Sequence, residues 1–130
     1  MKNQNSNCKL TASLSGDSVI KAPVAHGEGR FIASEKVLEK LKENKQVVFR
    51  YVKPDGELAE GEYPYNPNGA TDDIAGICNT EGNVLAFMPH PEDSFFKFQY
   101  PDWTKDKNPD EYGDGMKIFE SIIEYTRKNF

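Results

Sequence analysis

His90 and Glu92 stand two residues apart near the end of "VLAFMPHPEDSF", residues 84–95, each directly behind a proline. Proline biases the residue before it toward extended backbone, so Met88 and His90 are expected to be extended. Side chains along an extended segment alternate faces, which points His90 and Glu92 the same way. A carboxylate bound to one imidazole nitrogen fixes the tautomer and supports the positive ring, leaving the other nitrogen to act as a base toward a thiol or hydroxyl. That is two-thirds of a nucleophile–histidine–acid triad. The same spacing also fits a rigid strand exit with a part-solvated histidine and a surface glutamate, because a lone His-x-Glu is a weak signal. Spacing alone leaves both readings open.

His26 and Glu28 in "AHGEGRF" repeat the His-x-acid spacing. With His90 and Glu92 they could be imagined around a metal, but nothing fixes their distance, and no metal is expected. The glycines of this corner suit unusual backbone geometry rather than a nucleotide cradle, since "HGEGR" lacks the strand-to-helix context of a phosphate loop. The two cysteines, Cys8 and Cys78, are too few for a disulfide framework and lack metal-ligand spacing, so reduced thiols are expected.

These residues must be positioned by a chain of 130 residues, enough for one domain with one core. The net charge is −5 and the lysines are scattered among acids, which argues against a nucleic-acid surface. No window approaches the roughly twenty apolar residues of a membrane span. "MKNQNSNC" lacks the apolar core of a secretory signal, so the chain reads as cytoplasmic, without a membrane or nucleic-acid partner.

Residues 1–18 form a polar lead-in, with a weak alternation at "CKLTASL" that suits an edge strand or a loose tail. "VIKAPVAHGEGRF" predicts a strand, a turn with Gly27 and Gly29 in unusual geometry, and a return at Arg30–Ile32. "ASEKVLEKLKEN" predicts a helix capped by Ser34, with Val37, Leu38 and Leu41 on one face. "QVVFRYV", residues 46–52, reads as a buried strand, and residues 53–72 as loop. "DIAGICN" and "NVLAFMP" around "TEG" predict a hairpin with Gly82 at positive φ. The closing "MKIFESIIEYTRKNF" predicts a helix with Asp114 as N-cap and Ile118, Phe119, Ile122, Ile123 and Tyr125 on its apolar face. About five strands and two helices result, without the regular βαβ alternation of a complete doubly wound fold.

"PVAHGEGRF", "VVFRYV", "YPYNPNGATDDIAGICNTEGNVLAFMPHPE" and "GDGMKIFESIIEYTRKNF" together resemble the glutaminase component of phosphoribosylformylglycinamidine synthase, a class I glutamine amidotransferase of purine biosynthesis. The likeness covers residues 19–130. It implies an α/β fold, part of a flavodoxin-like domain, that hydrolyses glutamine and passes ammonia to a synthase subunit. That partner would use ATP and Mg to convert formylglycinamide ribonucleotide to its amidine, with no cofactor in this chain. The resemblance makes His90 the triad base and Glu92 its orienter, and places His26 and Glu28 near substrate or partner.

The family's glutaminyl thioester forms on a cysteine at a Gly-flanked strand–helix elbow, and no such elbow occurs here. Cys78 lies within the expected hairpin, and "SNCKLTA" has no tight glycine turn. The chain is therefore expected to correspond to a C-terminal half, lacking the N-terminal strands and the elbow, and to need a complementary N-terminal fragment. A parallel sheet without its first strands would expose an apolar edge, so the isolated chain is expected to be marginally stable or to self-associate. Asp93 stands where the family commonly has arginine. A non-catalytic remnant that docks on the synthase subunit is the competing expectation.

Overall fold

The computed structural model describes residues 1–130 apart from Asp17 and Glu28. Its centre is β2 (Val47–Arg50), whose Val48 and Phe49 are both fully buried in one apolar cluster, along a strand whose pairing is irregular between Val47 and Arg50. β2 is flanked by β1 (Lys2–Asn3) on one side and β3 (Ile74–Cys78) on the other, and β3 pairs in turn with β4 (Leu85–Phe87). All three pairings are antiparallel, so the described sheet is a four-stranded meander rather than the parallel sheet expected. The reason lies in the connections: β3 and β4 are joined by a tight turn, which can link only antiparallel neighbours.

The hairpin matches its sequence signal, with Gly82 at φ 70°. A Cβ there would also lie 2.2 Å from the Asn7 carbonyl oxygen, so the turn serves as a docking point for the N-terminal segment as well. Opposite Phe49, Gly76 leaves room for the tilted Phe49–Phe87 ring pair, whose centroids are 5.7 Å apart. Cys8, Ile20, Tyr51, Ala59, Ala70, Ala75 and Ile118 complete the core around this pair.

Helix α1 (Glu35–Glu43) starts after Ser34, but the cap is the Ser34 carbonyl, which accepts from Val37 and Leu38, and not the hydroxyl. Only Leu41 of the expected face is buried, and Val37 is 46% exposed. Helix α2 (Asp114–Asn129) is capped by Gly113 rather than Asp114. Asp114 is drawn away from the cap because its carboxylate accepts from the Lys21 backbone N–H and the Lys117 ammonium. Ile118 and Ser121 are buried and Ile122 partly so, whereas Ile123 is 45% exposed.

"CKLTASL" forms a 3-10 turn at Lys9–Thr11, and the edge strand lies upstream at Lys2–Asn3. Among its described residues, "VIKAPVAHGEGRF" forms no strand beyond a single bridge from Val19 to Lys2. Its backbone groups are spent singly on distant segments: Pro23 accepts from His90, and Phe31 accepts from Thr71. Gly27 and Gly29 are not among the positive-φ glycines. Gly29 packs instead against Met88, whose Sδ would lie 1.4 Å from a Cβ placed there, so a larger residue would have to displace that flexible side chain.

Candidate active site

The site begins where β4 ends. The Met88 N–H reaches the Ala75 carbonyl at 3.0 Å, continuing the β3–β4 pairing, and the His90 N–H then turns to the Pro23 carbonyl at 2.8 Å. His90 is extended (φ −97°, ψ 98°), as a residue before proline should be. Pro91 opens a 3-10 turn, Pro91–Ser94, a position suited to proline because its missing N–H would have no partner there. This turn, and not continued extension, carries Glu92 back to its neighbour. His90 Nδ1 and Glu92 Oε1 are 2.6 Å apart.

With Glu92 ionised, Nδ1–H donates to it and the Nε2 lone pair is left to act as a base. The hydrogen bond from His90 is the largest cause holding the Glu92 carboxyl below its ordinary range, followed by backbone N–H donation and opposed by desolvation. A carboxylate depressed in the fold stabilises it above the unfolded carboxyl range. The contribution is lost as pH falls through the folded value. With 57% of the Glu92 side chain accessible, it is a matter of orientation rather than of bulk stability.

Gln99 clamps the turn: its Nε2 donates to the Glu92 carbonyl and its Oε1 accepts from the Phe96 N–H, both at 2.8 Å. Nothing in the local sequence pattern marks this residue, because its role appears only once the chain has folded back. Asp93 is exposed, and its carboxylate, Glu92 and His90 bring donor atoms within 4.8 Å of one another. Glu92 is already engaged by the imidazole, and no metal is assigned. Asp93 places a second carboxylate beside the pair.

His26 is exposed, in a segment without regular structure, while Glu28 lies outside the described residues. The corner that holds His26 is fixed beside the His90 strand at both ends, through the Pro23 carbonyl and through Gly29 against Met88. The loop 53–72 supports it from behind, with Asn68 Nδ2 donating to the Gly29 carbonyl at 3.3 Å. That loop is itself tied to Asp73, a buried carboxylate accepting from Glu60 N–H, Gly61 N–H and Asn66 Nδ2 at 2.7, 2.9 and 2.8 Å. Its neighbour Asp72 pairs with Arg50 and, at 2.9 Å, with Lys42.

Neither cysteine is placed to react. Cys78 is 4% exposed on β3, its Sγ donates to Asn7 Oδ1 at 2.9 Å, and burial, with the Cys8 thiol beside it, pushes its pKa up to about 12. A nucleophilic thiol needs the opposite shift, toward a thiolate at neutral pH. Cys8 is 3% exposed in the same core cluster. Both thiols are expected to react with a disulfide reagent at pH 8 at least ~10-fold more slowly in the folded chain than in urea. Rapid stoichiometric labelling of a folded chain would contradict this.

The model of the CobB/CobQ-like glutamine amidotransferase domain matches residues 1–126. A relative from Methanococcus maripaludis, named phosphoribosylformylglycinamidine synthase subunit PurQ, is 42% identical over 98% of this chain and 49% of its own length. A Treponema denticola protein of the same name is 54% identical over 70% of this chain and 34% of its own. A chain of the solved PurLQS structure from Thermotoga maritima superposes with a TM-score of 0.63 at 30% identity, covering 96% of this chain and 44% of that one. The chain thus spans about half the length of the curated relatives it matches.

Proposed function

This chain belongs to the CobB/CobQ-like glutamine amidotransferase family, and from that premise we propose that it supplies the histidine–glutamate half of the glutaminase component of phosphoribosylformylglycinamidine synthase. The single observation that carries the reading is the 2.6 Å contact between His90 Nδ1 and Glu92 Oε1 at the end of β4. Nε2 takes the proton of a thiol, the thiolate attacks the glutamine amide carbon, and the protonated imidazole returns that proton to the departing nitrogen as ammonia leaves. Water, deprotonated by the same Nε2, then breaks the thioester and releases glutamate and the free thiol. Ammonia passes to the synthase subunit, where ATP and Mg serve the conversion of formylglycinamide ribonucleotide to its amidine.

The burial of Cys8 and Cys78 supports a thiol supplied by a segment other than these 130 residues. The surface left for such a segment is apolar. An open cleft of about 410 Å³ runs over Arg30, Phe31, Ile77, Ala86, Phe87 and Met88, and among the described residues β4 is the last strand of the sheet, with no strand on its outer edge. Nearby, Ile32 is 70% exposed. No described helix is long and apolar enough to cross a membrane, and the acidic charge disfavours nucleic acid, so the proposed setting is the cytoplasm.

The reading is tested by mixing the purified chain with the N-terminal half of the Methanococcus maripaludis relative and measuring glutamate release. Activity is expected in the mixture and in neither piece alone. An inactive mixture of two folded, associated pieces would reject the split glutaminase. It would favour a docking module that meets the synthase through exposed aromatics such as Phe98, Trp103 and Tyr112.

A further inference from the structure

The glycines that open α2 make an unusually close approach to the turn that carries Glu92. A Cβ at Gly115 would lie 1.9 Å from the Pro91 carbonyl oxygen and 2.7 Å from Ser94 Oγ, and one at Gly113 would lie 2.4 Å from the Ser94 carbonyl oxygen. The nearest obstacles are backbone, so no rotamer change relieves them, and either the helix or the turn must move. The helix is the better anchored of the two. Its first turn receives the Lys21 N–H on Asp114 Oδ2 at 3.0 Å and donates the Asp114 N–H to Tyr100 Oη at 2.8 Å, and Ile118 and Ser121 are buried beyond it. His90 is held separately, by its own N–H on the Pro23 carbonyl. A displaced turn would therefore part Glu92 from His90 instead of carrying both along.

We propose that Gly115, assisted by Gly113, is a positioning residue for the His90–Glu92 pair: its bare backbone lets the Pro91–Ser94 turn seat against α2 where the Glu92 carboxylate meets Nδ1. The proposal rests on reading His90 and Glu92 as base and orienter. It also runs against ordinary helix propensity, which favours alanine over glycine.

The test is NMR of the isotopically labelled chain, following the Glu92 carboxyl through a pH titration together with the imidazole nitrogens of the two histidines. In Gly115→Ala, the Glu92 titration is expected to rise toward the ordinary carboxylate range as far as it does in His90→Gln. The His90 nitrogen signals should move while those of His26 stay. A folded Gly115→Ala chain with Glu92 and His90 unchanged would overturn the proposal, whatever its thermal stability. If Gly115→Ala does not fold, Gly113→Ala, which lies outside the helix and has more freedom to adjust, carries the same measurement with the same two outcomes. Loss of the fold in both variants would assign the glycines to stability alone and also overturn the proposal. The titration requires no glutamine turnover, so its failure is distinguishable from failure of the glutaminase reading.

Discussion

Replacing His90 with alanine is expected to lower glutamate release by the reconstituted glutaminase about 10⁴-fold, since general acid–base catalysis is worth roughly 10²–10⁴-fold and in the proposed reaction one imidazole serves both half-reactions. Association of the two pieces should be unchanged, because His90 is only part-buried and its backbone, not its ring, holds Pro23. Glu92→Gln should cost less, about 10²-fold. The glutamine carbonyl can still accept from Nδ1–H and keep the tautomer, while the negative charge that stabilises the imidazolium is gone. Steady-state glutamate assays at saturating partner check both values. A His90→Ala mixture within tenfold of the parent would remove His90 from the chemistry.

Asp73→Ala is expected to destabilise the chain by about 3 kcal/mol or more, because one substitution strands three buried or part-buried donors that met a carboxylate. Asp73→Asn should cost less, since its carbonyl oxygen can keep some of these bonds. Urea unfolding followed by Tyr and Trp fluorescence measures both. A loss below about 1 kcal/mol for Asp73→Ala would mean that the donors find water at no cost, and that the loop 53–72 is not held by this residue. Where the loop loosens, Asn68 loses its purchase on Gly29, and the corner carrying His26 is no longer fixed beside His90.

What the sequence reveals about this fold depends on the range of the interaction concerned. The hairpin β3–β4 was legible because its turn needs only a glycine at positive φ and two apolar flanks, all within a dozen residues. β2 and the two helices were legible for the same reason, from local periodicity and β-branched density. The stretch "VIKAPVAHGEGRF" misled because an apolar run with glycines predicts strand and turn, while its actual hydrogen bonds go one at a time to His90 and Thr71. Gly115 is a glycine for contact and not for φ, and a backbone contact between a helix start and a distant turn has no local signature. The histidine–glutamate pair was found by spacing, though for a different geometric reason: a 3-10 turn after Pro91 brings the two together, where alternation along an extended strand was expected. The supporting clamp from Gln99 and the Asp73 knot are tertiary in origin, and no pattern of residue types announces them.

In the proposed reaction Nε2 of His90 activates a thiol supplied from outside these 130 residues. The most direct measurement is the rate at which iodoacetamide alkylates the cysteine of the N-terminal half at pH 7, alone, with this chain, and with its His90→Gln variant at equal occupancy. The parent chain is expected to accelerate alkylation at least about tenfold, because an imidazole raises the thiolate fraction, and the variant is expected not to. Equal rates with parent and variant would contradict it.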